Sequence, residues 1–254
     1  MTNESRPLIP VDPKGLDEIA ESLLSGSSVN VNPNPTGFFL ANATVNPREY
    51  YQVPNSSIVI AKAETLKGLD WNKTHEDLQK QKLRMPLVPE FMNHFVNVLN
   101  AHKKSSQLLY ADGTLVSKSE VEDLYRYLTT NHRSGCWTWL DAKFEETNGI
   151  WQVKYAHRFN NGNLIAGKTE KLENCLREDC FVELDFTKQG LPIKKSATQE
   201  YHRGSNIQYW HPRKDSVARF NADSDRAVLY CGRVPTNTNA SLGVFACAEK
   251  KMSN

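Results

Sequence analysis

From Cys136 onward the apolar residues change their spacing, and that change constrains the fold more than any other feature of the chain. Trp137, Trp139 and Leu140 open a stretch of period two, the repeat of a strand with one buried face. Asn148-Gly149 divides Ala142–Phe144 from Ile150–Tyr155. That dipeptide suits the positive φ angles of a two-residue hairpin turn, so the two runs are expected to pair. Further on, FVELDF (181–186), IQYW (207–210), SVARF (216–220), AVLYC (227–231) and LGVFACA (242–248) are short strand-like bursts separated by turn residues, with no helical stripe among them.

Upstream the period is helical. Phe91, Phe95, Val98 and Leu99 form a buried stripe, with Pro86 and Pro89 near its start, where a missing N–H costs little. A second helix is expected from Ser117, with Glu120 completing a capping box and Val121, Leu124, Tyr125 and Leu128 as its apolar face. Asp112-Gly113 is a turn signal between them. Lys73 to Leu83 reads as a polar, exposed helix. Leu16, Ile19, Ala20, Leu23 and Leu24 mark a short amphipathic helix after an irregular arm, residues 25–37 a loop, and Phe38 to Leu40 and Ile58 to Ala61 strands. The expected class is α+β, two main helices packed on twisted antiparallel strands. The expected division is an arm and short helix over 1–30 and one domain over 31–254.

Charge and length narrow the function. The 254 residues carry 31 basic and 29 acidic side chains, a formal net charge of +2. That balance gives no field to steer nucleic acid, and no apolar run is long enough for membrane insertion. The opening MTNESRPLIPVDPKG has no apolar signal region. The five cysteines, Cys136, Cys175, Cys180, Cys231 and Cys247, form no C-x-x-C pair and are expected as free thiols. His75-Glu76 lacks the second His of H-E-x-x-H, and no G-x-S-x-G, phosphate-binding loop or dinucleotide fingerprint occurs. His94, between Phe91 and Phe95, reads as a boundary residue. Asp223 and Asp225 have too few oxygen neighbours in sequence for calcium. No catalysis, cofactor or required metal is expected. Arg203, Arg213 and Lys214 read as solvated charge.

The last fifty residues are the most informative. Over 227–238, Ala227, Leu229, Cys231, Arg233 and Pro235 take one parity; Val228, Tyr230, Gly232, Val234, Thr236 and Thr238 take the other. In extended chain the two sets face opposite ways, so one can lock the fold while the other changes at little cost.

Residues 204–250, with SVARF, ADSDRA, a spaced L-x-C-x-R-x-P and ASLGV, resemble the variable region of target proteins of diversity-generating retroelements. LRMPLVPEF (83–91) and WTWLDAKF (137–144) are similar to that family more loosely. The resemblance implies a C-type lectin fold of the formylglycine-generating-enzyme type and a virus-borne source, archaeal viruses among them. It implies a receptor-type protein, displayed on a virion or cell surface, whose binding face is diversified by mutation of template adenines. Asn codons so changed reach Val, Tyr, Gly and Thr, and Asn221, Asn237 and Asn239 fit unmutated template positions. Carried over by position, the ligand-binding face is Tyr209, His211, Asn221, Asp223, Val228, Tyr230, Gly232, Val234, Thr236 and Thr238. Tyr209 and Tyr230 are the expected anchors, since Tyr gives large contact area with few torsions to freeze. The scaffold is Trp210, Val217, Ala218, Phe220, Leu229, Cys231, Leu242, Gly243 and Val244. Phe245 stands where the family has Arg. The expected partner is a protein or other cell-surface ligand of a monomeric chain. The same fold also serves sulfatase-activating oxidases with a cysteine pair, and a structural virion protein without a recognition role is a third reading.

Overall fold

The computed structural model describes residues 46–129, 135–222 and 225–250. The arm, the stripe at Leu16 to Leu24 and the strand at Phe38 to Leu40 lie outside these residues, as does Asp223.

Three α-helices are present among the described residues: α1 (Trp71–Lys80), α2 (Val88–His102) and α3 (Lys118–Thr129). The strands are β1 (Tyr50–Gln52), β2 (Ile58–Ala61), β3 (Cys136–Thr147), β4 (Ile150–Tyr155), β5 (Arg158–Asn160), β6 (Asn163–Ile165), β7 (Lys168–Lys171), β8 (Cys180–Glu183), β9 (Asn206–Trp210), β10 (Ser216–Ala222), β11 (Ala227–Arg233) and β12 (Cys247–Glu249). Seven of them make one sheet in the order β7-β4-β3-β10-β11-β9-β8; β1-β2-β12 and β5-β6 form smaller sheets. The class is mixed α+β, with a mostly antiparallel main sheet. One pair departs from the antiparallel expectation: β9 and β11 run parallel. Two strands that run the same way cannot be joined by a tight turn, and β10 runs back between them in sequence, lying on the far side of β11.

Local chemistry explains the elements. Asn148 (φ 51°) and Gly149 (φ 77°) both take positive φ and turn β3 into β4. Pro89 stands in the first turn of α2, and the Glu90 carboxylate accepts from the Leu87 N–H at 2.8 Å while Arg84 holds its two oxygens. Ser117 Oγ accepts from Glu120 N at 3.2 Å, but the expected capping box is only half made. Glu120 turns its carboxylate to the Tyr51 and Tyr110 hydroxyls and to Lys62.

The main core lies between α2, α3 and one face of the sheet. Phe220 on β10 meets Phe91 and Phe95 of α2 at ring distances of 4.9 and 5.2 Å. Phe245 is buried against Phe91 and Tyr127, so it belongs to the core and not to a varied face. His94 is buried as well, stacked on Tyr51, and burial pushes its pKa down to about 4; the boundary placement is corrected.

A second apolar cluster covers part of the opposite face. Trp71, Leu78, Met85, Trp139, Val217, Leu242 and Val244 meet there. The expected exposed helix is therefore amphipathic. Trp71, Thr74, His75 and Leu78 recur at helical spacing and are buried, under a face of Lys and Glu that disguises them. Two indoles tie α1 to β3: Trp71 Nε1 donates to Leu140 O at 3.0 Å and Trp139 Nε1 to Leu69 O at 3.1 Å. Gly243 lets residues 242–246 run close beside β3. Its backbone bonds both Trp137 and Trp139, and a Cβ there would meet Thr65 O at 2.8 Å.

Candidate functional site

The face of the main sheet away from α2 and α3 carries two cross-strand rows. Backbone register sets Gln208, Val228, Asn221 and Trp137 in one, and Trp210, Tyr230, Arg219 and Trp139 in the next. Side chains directly opposite on neighbouring strands stand about 4.5–5.5 Å apart at Cβ and can stack. Here they do. Trp210 and Tyr230 stack at 5.1 Å and 18° between planes. The Arg219 guanidinium lies over Tyr230 at 5.1 Å and over Trp137 at 4.5 Å. Indole, phenol, guanidinium and indole thus form a continuous ladder across β9, β11, β10 and β3. Trp137, Trp210 and Tyr230 are each half-buried, leaving their rings partly open to solvent. Cation–π and aromatic pairs of this kind each contribute about 0.5–1.5 kcal/mol, enough to hold the rings in place.

The expected separation of locked and open side chains is present on β11 alone, because every residue of β10 is buried. Phe220, Leu229 and Cys231 are 0% exposed on the helix side, while Tyr230 points the other way. Val217, Ala218, Leu242, Gly243 and Val244 are buried, as the scaffold assignment required.

Several individual placements are corrected. Tyr209 is 0% exposed. Its register partner on β11 is Leu229, so it lies on the core face, and the residue half-open on the other face is its neighbour Trp210, which was assigned to the scaffold. Val228 (4%) and Asn221 (1%) have the outward parity yet are buried. They are short side chains in rows of tall ones, flanked by Gln208 and Trp137. Gly232 lies at a bulge. β10 advances from Val217 to Arg219 while β11 runs back from Arg233 to Tyr230, leaving one residue unmatched. The bulge resets the alternation, so Arg233 faces the same way as Val217. A Cβ on Gly232 would come within 2.8 Å of Arg213 Cγ, which makes this a poor position to vary.

Beyond β11 the extended-chain argument ends. Residues 234–242 are a turn-rich loop in which Asn237 Oδ1 accepts from Asn239 N and Asn239 Oδ1 from Ser241 N, both at 2.9 Å. Val234 is 59% exposed, and Thr236 and Thr238 are exposed too. His211 is half-buried and pinned: Asp179 Oδ1 receives its backbone N–H at 3.0 Å and contacts its Nδ1 at 2.6 Å. Asp179 also takes Arg213 at 2.8 Å, while Arg203 lies over Tyr125 and donates to Thr129 Oγ1. Neither arginine is merely solvated.

Sequence reasoning missed Trp137, half-open on this face, and Arg219, buried between the rings at 7% exposure. The alternation Trp137, Trp139, Asp141 signalled one face of β3, but only the pairing with β10 brings Arg219 between the rings. The cysteine chemistry is subdued. Cys136, Cys231 and Cys247 are fully buried, and burial pushes each thiol well above its ordinary range. No helix among the described residues is long and apolar enough to cross a membrane. No family model, curated protein or solved structure was found to match the chain.

Proposed function

We propose that this chain is a receptor-type binding protein on a C-type lectin fold of the formylglycine-generating-enzyme type, with a C-terminal region diversified by a retroelement. The observation that carries the reading is the division of neighbouring residues on β11 and in the loop that follows it. Phe220, Leu229 and Cys231 are sealed against the helices, while Tyr230 lies half-open on the ladder and Val234, Thr236 and Thr238 stand exposed beyond it. The stacked rings supply a preorganised, amphipathic platform that loses little entropy on binding. The loop beside it tolerates change. The partner is then a protein or cell-surface ligand met by Trp210, Tyr230 and Trp137, whose rings the buried Arg219 holds in place, with specificity from the loop. The buried, protonated thiols favour this reading over an oxidase that needs a reactive pair.

The decisive experiment is nucleotide sequencing around the coding region. A near-copy of the 204–250 segment next to a reverse-transcriptase gene, differing at adenines that fall in codons for 230, 234, 236 and 238, is the expected result. Variants from one population that differ evenly between buried and exposed positions would overturn it.

A further inference from the structure

A second group of residues, unconnected with recognition, gathers on the same face of β3 two residues from Trp139. His75 comes from α1, Asp141 from β3 and His157 from the turn that follows β4. All three are buried, at 4%, 2% and 8% exposure. Asp141 Oδ1 is 2.5 Å from His157 Nδ1 and 3.6 Å from His75 Nε2. One donor atom from each residue lies within 4.8 Å of the other two. The second carboxylate oxygen accepts the His157 backbone N–H at 3.0 Å, which fixes the plane of the group.

The sidedness of this cluster is what needs explaining. His75 Nε2 is aimed at Asp141 but stands too far off for a hydrogen bond, and among the described residues it has no other partner. Its surroundings are ring edges: Trp71 at 4.4 Å and His157 at 5.5 Å between centroids. A buried imidazole nitrogen without a partner is destabilising, and a leucine in its place would avoid that cost. Something of complementary chemistry is required between nitrogen and carboxylate.

We propose that His75, Asp141 and His157 form a binding site for a divalent transition-metal ion, with zinc as the ion that fits best. Two imidazoles and one carboxylate are a borderline donor set suited to zinc; calcium and magnesium take oxygen ligands instead. With metal–ligand bonds of about 2.0–2.2 Å, tetrahedral donor atoms stand about 3.3 Å apart. The His75–Asp141 edge already has nearly that length. The shorter His157–Asp141 edge is a hydrogen bond in which a proton holds the place of the ion; binding through Nδ1 moves that proton to Nε2 and spreads the edge by somewhat under about 1 Å. His157 is placed to make this adjustment, following Ala156 at φ 55° in a turn between strands. Asp141 N donates to Pro86 O at 2.8 Å, so the strand behind the carboxylate is held. The ion would staple α1 and the β5–β6 hairpin to the main sheet, beside the Gln79 side chain that already clamps Phe159 N and O.

The test uses the full chain, stripped with chelator and reloaded with Zn²⁺ or Co²⁺ alone. The expected result is one ion per chain by mass spectrometry, visible d–d bands of a four-coordinate Co²⁺ site, and a Tm that rises with Zn²⁺. His75→Ala and His157→Ala should weaken uptake at least about tenfold, while His94→Gln, at a buried histidine elsewhere, should keep it. Should the alanine variants fail to fold, the Co²⁺ spectrum of the unmodified chain decides. Retained stoichiometry in His75→Ala, or only the spectrum of the hydrated ion with the unmodified chain, overturns the site.

Discussion

Leu229 and the loop that follows its strand give opposite answers to substitution, and the difference can be worked out beforehand. Leu229 is 0% exposed, between Phe220 on β10 and Tyr209 on β9 in register. Leu229→Ala removes three buried carbons and leaves a cavity that two aromatic neighbours on a paired sheet cannot readily close. Substitutions of this kind cost about 2–5 kcal/mol, and the tight surroundings put this one near the middle, at about 3 kcal/mol. In a domain of this size each kcal/mol moves Tm by about 2–4 °C, so the expected drop is about 6–12 °C. The triple variant Val234→Asn, Thr236→Asn, Thr238→Asn changes three exposed loop side chains. Each is worth less than about 0.5 kcal/mol, so the sum leaves Tm within about 6 °C at most. Thermal unfolding followed by circular dichroism on the two variants and the parent makes the comparison. A triple variant less stable than Leu229→Ala would refute the assignment of locked and open positions, since three loop changes would then outweigh a core cavity.

Two other outcomes follow. His94, with its pKa held near 4 against an ordinary 6.5, takes up a proton in the unfolded chain before it does so in the native one. Its share of stability is therefore present above about pH 6.5 and lost as pH falls toward 4, about 2 kcal/mol by pH 5; urea melts at pH 7.5 and 5.0 should show His94→Leu losing less than the parent by that amount, and equal losses would disprove it. Tyr230→Ala removes the stack on Trp210 and the Arg219 contact, for about 1–2 kcal/mol, and should lower near-UV dichroism along with Tm; an unchanged near-UV spectrum would argue against an ordered ladder.

Much of this architecture was legible because its signals are local. Asn148-Gly149 needs positive φ at both residues and makes the hairpin; the stripe of Phe91, Phe95, Val98 and Leu99 makes α2; the alternation about Leu229 puts Cys231 and Leu229 inside. What escaped depends on partners distant in sequence. Tyr209 and Trp210 are adjacent aromatics on a five-residue strand, and only the parallel pairing with β11 decides which is buried. The bulge opposite Ala218 changes the alternation after Tyr230, and its one local sign, Gly232 on β11, does not by itself give the new register. α1 concealed its buried stripe under charge. His75, Asp141 and His157 lie 66 and 16 residues apart along the chain, with no short motif to join them.

These corrections sharpen the recognition proposal. Varying every second residue along β11 would reach Val228 and Gly232, where a larger side chain meets a buried row or the Arg213 stem, and each such change puts folding at risk. Cheap variation is confined to the open ring of Tyr230 and to the loop from Val234, whose backbone is held by Asn237 and Asn239 whatever occupies 234, 236 and 238. A binding surface built this way has a fixed half and a changeable half. On that proposal Trp137 and Trp210, braced by the buried Arg219, would give general, amphipathic adhesion, and the loop would choose among partners. Selection acting on such a protein should therefore keep both asparagines, since losing either unties the loop backbone and with it the presentation of the three positions that are free to differ.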